Sequence, residues 1–291
     1  MSENVIKIKH RNASMLRGVL IRLLRNKAAI IGLVIILVLI FSAIFAEVVS
    51  PYAYDEQNLR DRFLAPSTAH IFGTDSYGRD IFSRIVFGSR TSLMVGAIAV
   101  TISSIIGTFL GAISGYYGNR VDNIIMRFID VMLAIPNILL AISIAATLGP
   151  GIVNVMIAVG ISSVPGYARL VRASVMSIRE QEFIEAARSI GASDFRIIMR
   201  HILPNCFAPI IVQATMSVAI AILSAAALSF LGLGVQPPTP EWGSMLSDGR
   251  SYIRDYWWVV TFPGLAIMAT VFAFNLFGDG LRDALDPRLK Q

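Results

Sequence analysis

The sequence predicts an all-α polytopic membrane protein with six transmembrane helices and both termini in the cytoplasm. Three observations carry that expectation. Of 291 residues, 55% are hydrophobic and only 15% charged, whereas a soluble domain carries about 25% charged residues. The apolar residues fall in runs long enough to cross a bilayer, and Lys and Arg gather in alternate loops. A net charge of +6 does not signal nucleic acid, because the basic residues never form a stripe with interleaved aromatics. Cys206 is the only cysteine, which leaves no internal disulfide and no cysteine-based metal site; it reads as a small apolar residue.

A crossing helix needs about 20 apolar residues, because every backbone N–H and C=O must be bonded within the segment. The first such run spans 28–49 and carries only Glu47; the second is the uncharged stretch from Thr91 to about Gly115. Residues Val131 to Ala168 hold no charge and are too many for one helix. Gly149, Pro150 and Gly151 near their middle predict a tight hairpin of two spans. The fifth span follows His201 and ends near Leu233, and the sixth fills Tyr256 to Gly278.

Topology follows from the basic residues, since short loops rich in Lys and Arg stay in the cytoplasm. The N-terminal tail has Lys7, Lys9, Arg11, Arg17, Arg22, Arg25 and Lys27. The loop after span two has Arg120 and Arg127, and the C-terminal tail has Arg282, Arg288 and Lys290. After span four come Arg169, Arg172, Arg179, Arg188, Arg196 and Arg200, so 18 of 25 basic residues fall on one side. The expected organisation is a cytoplasmic tail over 1–27, a first helix over 28–49 and an extracytoplasmic loop over 50–90. A five-helix core over 91–282 then carries a cytoplasmic loop at 171–203, and a cytoplasmic tail covers 283–291. The first apolar run is too long for a cleaved leader and reads as a retained helix. Pro136, Pro165, Pro209 and Pro263 mark bent spans; a bent lining for a pathway and ordinary membrane-helix kinking both remain open.

The polar stretch after span four is unlike the rest of the chain. Phe183, Ala187 and Ile190 recur at helical spacing and predict a short amphipathic helix that Gly191 ends by taking positive φ. Asp194 is placed to cap a second short helix with Phe195, Ile198, Met199 and Ile202 on its apolar face, before Pro204 opens span five. A surface helix in the headgroup layer is the alternative to a protein-docking element.

Here the residues carry a resemblance. Glu185, Ala186, Ala187, then Gly191 and Ala192, then Leu203 and Pro204 resemble the "EAA" loop of binding-protein-dependent ABC importer permeases, with His201 where the pattern prefers an aliphatic residue. Asn26, Lys27, Ile31, Gly32 and Leu33 are similar to the opening of the C-type subunits of the dipeptide, oligopeptide and nickel permeases. So are Phe72 to Asp75, Gly78 to Asp80, Phe230 to Gly232, Gln236 to Gly243 and Gly278 to Pro287.

The resemblance implies the type I importer permease fold, located in the bacterial inner membrane, and a transport subunit rather than an enzyme. It implies that Phe183, Glu185, Ala186, Ala187, Gly191, Ala192, Leu203 and Pro204 couple the chain to an ATPase. The implied partners are a homologous second permease chain, two cytoplasmic ABC ATPase subunits and an extracytoplasmic binding protein. The implied cargo is a di- or oligopeptide, with nickel, glutathione or another small solute as the alternative.

The rest of the chain fits a division of labour. Lys7, Lys9, Lys27 and Lys290 are the only lysines and none follows glycine in a phosphate-cradling loop, so ATP and Mg are expected on partner subunits, with no cofactor here. A serine-protease reading of Gly160, Ile161 and Ser162 fails for want of a base: His10, His70 and His201 all lie outside the spans, too dispersed for zinc. Asp75 and Asp80 are read as holding a Gly-rich turn. The proline-dense segment Gln236 to Gly243 should be stiff, with Trp242 at the membrane interface.

Overall fold

The computed structural model describes residues 18–285; the expectations for Lys7, Lys9, His10, Arg11, Arg17, Arg288 and Lys290 lie outside them. A helical stretch over 18–25 leads into α1, Lys27–Ile44, whose start is capped by Asn26 Oδ1 accepting from the Ala29 amide at 3.2 Å. The helix breaks at Phe45 and resumes as the short α2, Ala46–Val49. Then come α3, Ile81–Tyr117, α4, Asn119–Leu133, α5, Asn137–Leu148, and α6, Ile152–Arg179. The chain continues through α7, Glu182–Ser189, α8, Asp194–Ile197, a π-helical turn at Ile198–Ile202, α9, Leu203–Phe230, α10, Trp242–Gly249, and α11, Trp258–Leu285. No β-strand occurs among the described residues, where only the isolated bridge between Thr74 and Asp80 is found.

Five helices are long and apolar enough to cross a membrane, and the bent pair α4 and α5 brings the number to six. The chain is a multi-pass membrane protein. The third crossing differs from a simple hairpin limb. α5 has 12 residues, or about 18 Å at 1.5 Å per residue, short of the roughly 30 Å hydrocarbon core. α4 meets it at 89°. The cause is Pro136, which caps α5 in an extended conformation, and the charges of α4, which line one side of an otherwise apolar helix.

α3 also begins ten residues before the expected Thr91. Its 37 residues take in Arg84 and Arg90, charges that suggested a loop. Arg84 is only 2% exposed, and the first long loop surrounds it with partners. Its Nε lies 3.7 Å from Asp75, its Nη1 donates to the Tyr54 carbonyl at 3.1 Å, and Asp75 accepts from Arg79 Nε at 2.6 Å. Arg79 reaches Asp248 of α10 at 3.7 Å. Burial raises the Asp248 carboxyl above its ordinary range, and Arg79 and Arg84 pull it back. Asp80 caps α3 through the Ser83 amide at 2.7 Å and pairs with His70 Nδ1 at 3.0 Å. Asp75 and Asp80 therefore hold their turn, as their spacing suggested.

Trp242 does not face the surroundings of the protein. It is fully buried, its Nε1 donates to the Ile85 carbonyl at 3.0 Å, and its ring covers Gly88, where the missing side chain makes room. The neighbouring Glu241 caps α10 by accepting from the amides of Gly243 and Ser244, both at 2.9 Å; burial raises its carboxyl above the ordinary range. Stacked pairs Phe63 with Tyr256 and Phe72 with Phe262 close the rest of this end of the bundle.

The centre of the bundle is the contact between α3 and α6. Gly107, Gly111 and Gly115 sit at four-residue spacing and face Tyr167, Ala168 and Arg172; a Cβ at Gly111 would lie 2.5 Å from the Ala168 carbonyl oxygen. Small residues are what allow two helix backbones to approach so closely in lipid, where no hydrophobic force drives helices together.

Candidate functional site

α6 continues to Arg179, and α7 follows after Glu180 and Gln181. Glu182 and Glu185 stand in the first turn of α7 and Arg188 in its last, a placement that favours the helix dipole at both ends. Ile184 and Ala187 are its buried residues. They pack with Ala112 and Tyr116 of α3, Val171 and Val175 of α6, Ile197, and Cys206 of α9. The helix ends in a Schellman motif: the Gly191 amide donates to the Arg188 carbonyl at 2.9 Å and the Ala192 amide to the Ala187 carbonyl at 3.1 Å. Gly191 has φ +78°, the conformation that glycine adopts without steric cost.

The packed face is not the one that Phe183, Ala187 and Ile190 define. Phe183 is 41% and Ile190 86% exposed, and only Ala187 of the three is buried. Five apolar residues sit on both sides of this eight-residue helix and its cap, and the shape of the α3 and α6 ends selects Ile184 and Ala187. The second helix differs in the same way. Ile197 and Ile202 are buried while Phe195 and Met199 are exposed. Asp194 does not cap it: Ser193 takes that position without a side-chain bond, and the Asp194 carboxylate accepts from the Tyr116 hydroxyl at 2.7 Å. α8, the π-helical turn and α9 form one run of 37 residues, so the second helix flows into its span without a break.

The eight sequence-predicted residues thus divide. Ala187, Ala192 and Leu203 belong to the packed cluster, Gly191 shapes the joint, and Phe183, Glu185, Ala186 and Pro204 are exposed. Glu185 lines a polar cleft of about 600 Å³ with Tyr116, Arg179, Glu180, Arg188 and Asp194. Sequence reasoning gave no site role to Tyr116, just past the expected end of span two, or to Arg179, which counted only as one of the basic residues of the cytoplasmic loop. α6, α9 and α11 also border a half-open pocket of about 470 Å³ lined by Leu170, Pro209, Gln213, Met216 and Arg282 among others. Ser162 donates to the Val159 carbonyl at 3.0 Å. Among the described residues no group of three or more His, Cys, Asp or Glu could hold a metal.

The comparisons with known proteins agree with this architecture. Residues 107–291 match the family model for the binding-protein-dependent transport system inner membrane component, and residues 14–66 match the N-terminal transmembrane domain of oligopeptide transport permease C. The dipeptide transport system permease protein DppC of Alkalihalophilus pseudofirmus is 56% identical over 269 residues, 92% of this chain and 88% of the relative. The di/tripeptide transport system permease protein DppC of Pseudomonas aeruginosa is 51% identical over 272 residues, 91% of this chain and 89% of the relative. A glutathione transport system permease protein, GsiD of Escherichia coli, is 52% identical over 273 residues, 92% of this chain and 89% of the relative.

Among solved structures, an inward-facing form of the MetNI methionine ABC transporter superposes with TM-score 0.57 at 17% identity, over 71% of this chain and 98% of that one. An amino acid ABC transporter superposes with TM-score 0.53 at 18% identity, over 70% of this chain and 95% of that one. The importer permease fold expected from the resemblance is therefore present. The family consists of membrane transport components that work with other ABC proteins, not of enzymes. On the extent of both family matches and on relatives about half identical along nearly the whole chain, this protein belongs to the binding-protein-dependent transport system inner membrane components, with an N-terminal part of the oligopeptide permease C type.

Proposed function

We propose that the chain forms half of the membrane channel of an ATP-driven importer of di- or oligopeptides, in the cytoplasmic membrane of a bacterium, with α7 and both termini inside the cell. A second, homologous but distinct permease chain supplies the other half. Two ATPase subunits bind ATP and Mg beneath the pair, and an external binding protein delivers the cargo.

The observation that carries this reading is α7. One of its faces is fully seated on the ends of α3 and α6, while the other presents Phe183, Glu185 and Ala186 outward, with Ile190 at 86% exposure beside them. A helix held this firmly, with aromatic and aliphatic side chains left uncovered, suits a protein groove. Ala187, Ala192 and Leu203 seat the element, Gly191 sets the joint and Pro204 starts the span it moves. When the ATPases close, α7 is carried as a rigid body, and the bent spans around the Pro209 and Gln213 pocket switch access from outside to inside.

Peptide cargo is supported by the relatives named for dipeptides and di/tripeptides, and glutathione remains the second reading because a relative of 52% identity carries that name. The test is to titrate the external binding protein that docks on this chain with dialanine, a pentapeptide and glutathione by calorimetry. Heat from dialanine or the pentapeptide is expected. Binding of glutathione with none of either peptide would replace the peptide assignment.

A further inference from the structure

The last turn of α3 is tied to α4, to α6 and to both arms of the loop. Ser114 bonds the Asp122 carboxylate, which also receives Arg172 Nε and Nη2, each at 2.5 Å. Arg179 Nη1 donates to the carbonyls of Gly115 at 3.0 Å and Tyr116 at 3.3 Å. Tyr116 itself is 6% exposed, with its ring in the cluster that holds Ile184, Ala187 and Ile197. Its hydroxyl donates to Asp194 at 2.7 Å, and the Arg188 guanidinium lies over the ring, 5.3 Å from its centroid. Arg188 precedes the Gly191 joint and Asp194 follows it, so one side chain of α3 grips both arms of the loop.

Three routes leave that loop and they are not equal: α6, which leads directly into α7, carries Pro165 within it. From Asp194 into α9 the chain passes the π-helical turn at Ile198–Ile202 and then Pro209; both interrupt the regular hydrogen-bond ladder and make the path compliant. α3 contains no proline over its 37 residues, about 55 Å of unbroken helix. At its far end it is anchored by the Asp80 cap, the buried Arg84 and the Trp242 ring over Gly88.

We propose that Tyr116 is a positioning residue that hands the displacement of α7 to α3, making α3 the main lever between the coupling loop and the outer end. The inference rests on the coupling role of α7. Removing only the hydroxyl keeps the ring packed but frees Asp194. The test uses the assembled transporter in nanodiscs, with Cys206→Ser and a reporter thiol from Ala208→Cys, which lines the α9 pocket. The rate of labelling by a membrane-impermeant maleimide is compared with and without ATP and vanadate.

The parent rate is expected to change on nucleotide addition. In Tyr116→Phe that change should shrink about tenfold, the scale of one hydrogen bond to a charged group, at an unaltered membrane level. Asp194→Asn should do the same, and the double variant should be no worse than either single one. A full nucleotide response in Tyr116→Phe, alongside its loss in Glu185→Lys, would overturn the proposal and leave the coupling role of α7 intact; so would effects that multiply in the double variant. A full response in Glu185→Lys as well would remove the coupling role, and this inference with it.

Discussion

Glu185→Lys and Gly191→Pro are each expected to leave the chain inserted and assembled while lowering ATP-driven uptake by roughly 100-fold, toward the upper end of measured coupling between sites. Glu185 is exposed and its side chain packs against nothing in the α7 core, which is built from Ile184 and Ala187. A lysine in the first turn costs α7 only about 0.5 kcal/mol through the helix dipole, so the helix survives while the sign of its outward charge is reversed. Gly191→Pro acts on the joint instead. Proline holds φ near −65° where the chain needs +78°, and it removes the amide that bonds the Arg188 carbonyl at 2.9 Å. α7 would then be attached by a loop of different direction. Phosphate release and cargo uptake are measured together in proteoliposomes. Hydrolysis that continues without uptake is the expected result, and normal uptake in either variant contradicts the coupling assignment.

Gly111→Val should have the second large effect, on the fold itself. Its Cβ would lie 2.5 Å from the Ala168 carbonyl, 2.9 Å from Val171 Cβ and 3.0 Å from the Arg172 amide. Two of the three are backbone atoms of α6, which no rotamer change can move aside. The flanking contacts at Gly107 and Gly115 are equally close, so the helices cannot slide to relieve the clash. Overpacking alone costs about 3 kcal/mol, and separating the α3 and α6 ends would also unseat the Arg172 pair with Asp122 and the bed of α7. Folded protein recovered after detergent extraction should fall to a small fraction of the parent. Gly166→Val is the control: it lies on the partner helix, α6, and a Cβ there meets nothing within 4 Å. Equal recovery of the two variants would show that the glycine ladder does not hold the helices together.

Much of the architecture is legible in the sequence because lipid imposes length and polarity at once. The uncharged run from Val131 to Ala168 was too long for one helix, and a turn does fall at Gly149 to Gly151, but the second break, of 89° at Pro136, was not read. What escaped the sequence depends on neighbours. Arg84 reads as a loop residue until the first long loop folds Asp75 against it. Trp242 reads as facing the interface until Gly88, far away in the chain, opens a place for it. Within α7 the spacing marks a helix, but Phe183, Ile184, Ala187 and Ile190 cover both faces, and only the shape of the receiving surface decides which pair is buried. The ladder of Gly107, Gly111 and Gly115 went unread, although four-residue spacing of glycines in an apolar run is itself a sign of a close helix contact. Tyr116 carried no local signal, because its role is set by Asp194, 78 residues away.

The account stands on α7 lying inside the cell in contact with a separate ATPase. The direct measurement is maleimide labelling of Ile190→Cys in a Cys206→Ser background, in intact spheroplasts and in inverted vesicles, with and without the ATPase chains. Labelling only in inverted vesicles, and strong protection by the ATPase chains, is the predicted result. Labelling from outside intact cells, or a rate indifferent to the ATPase chains, would contradict it.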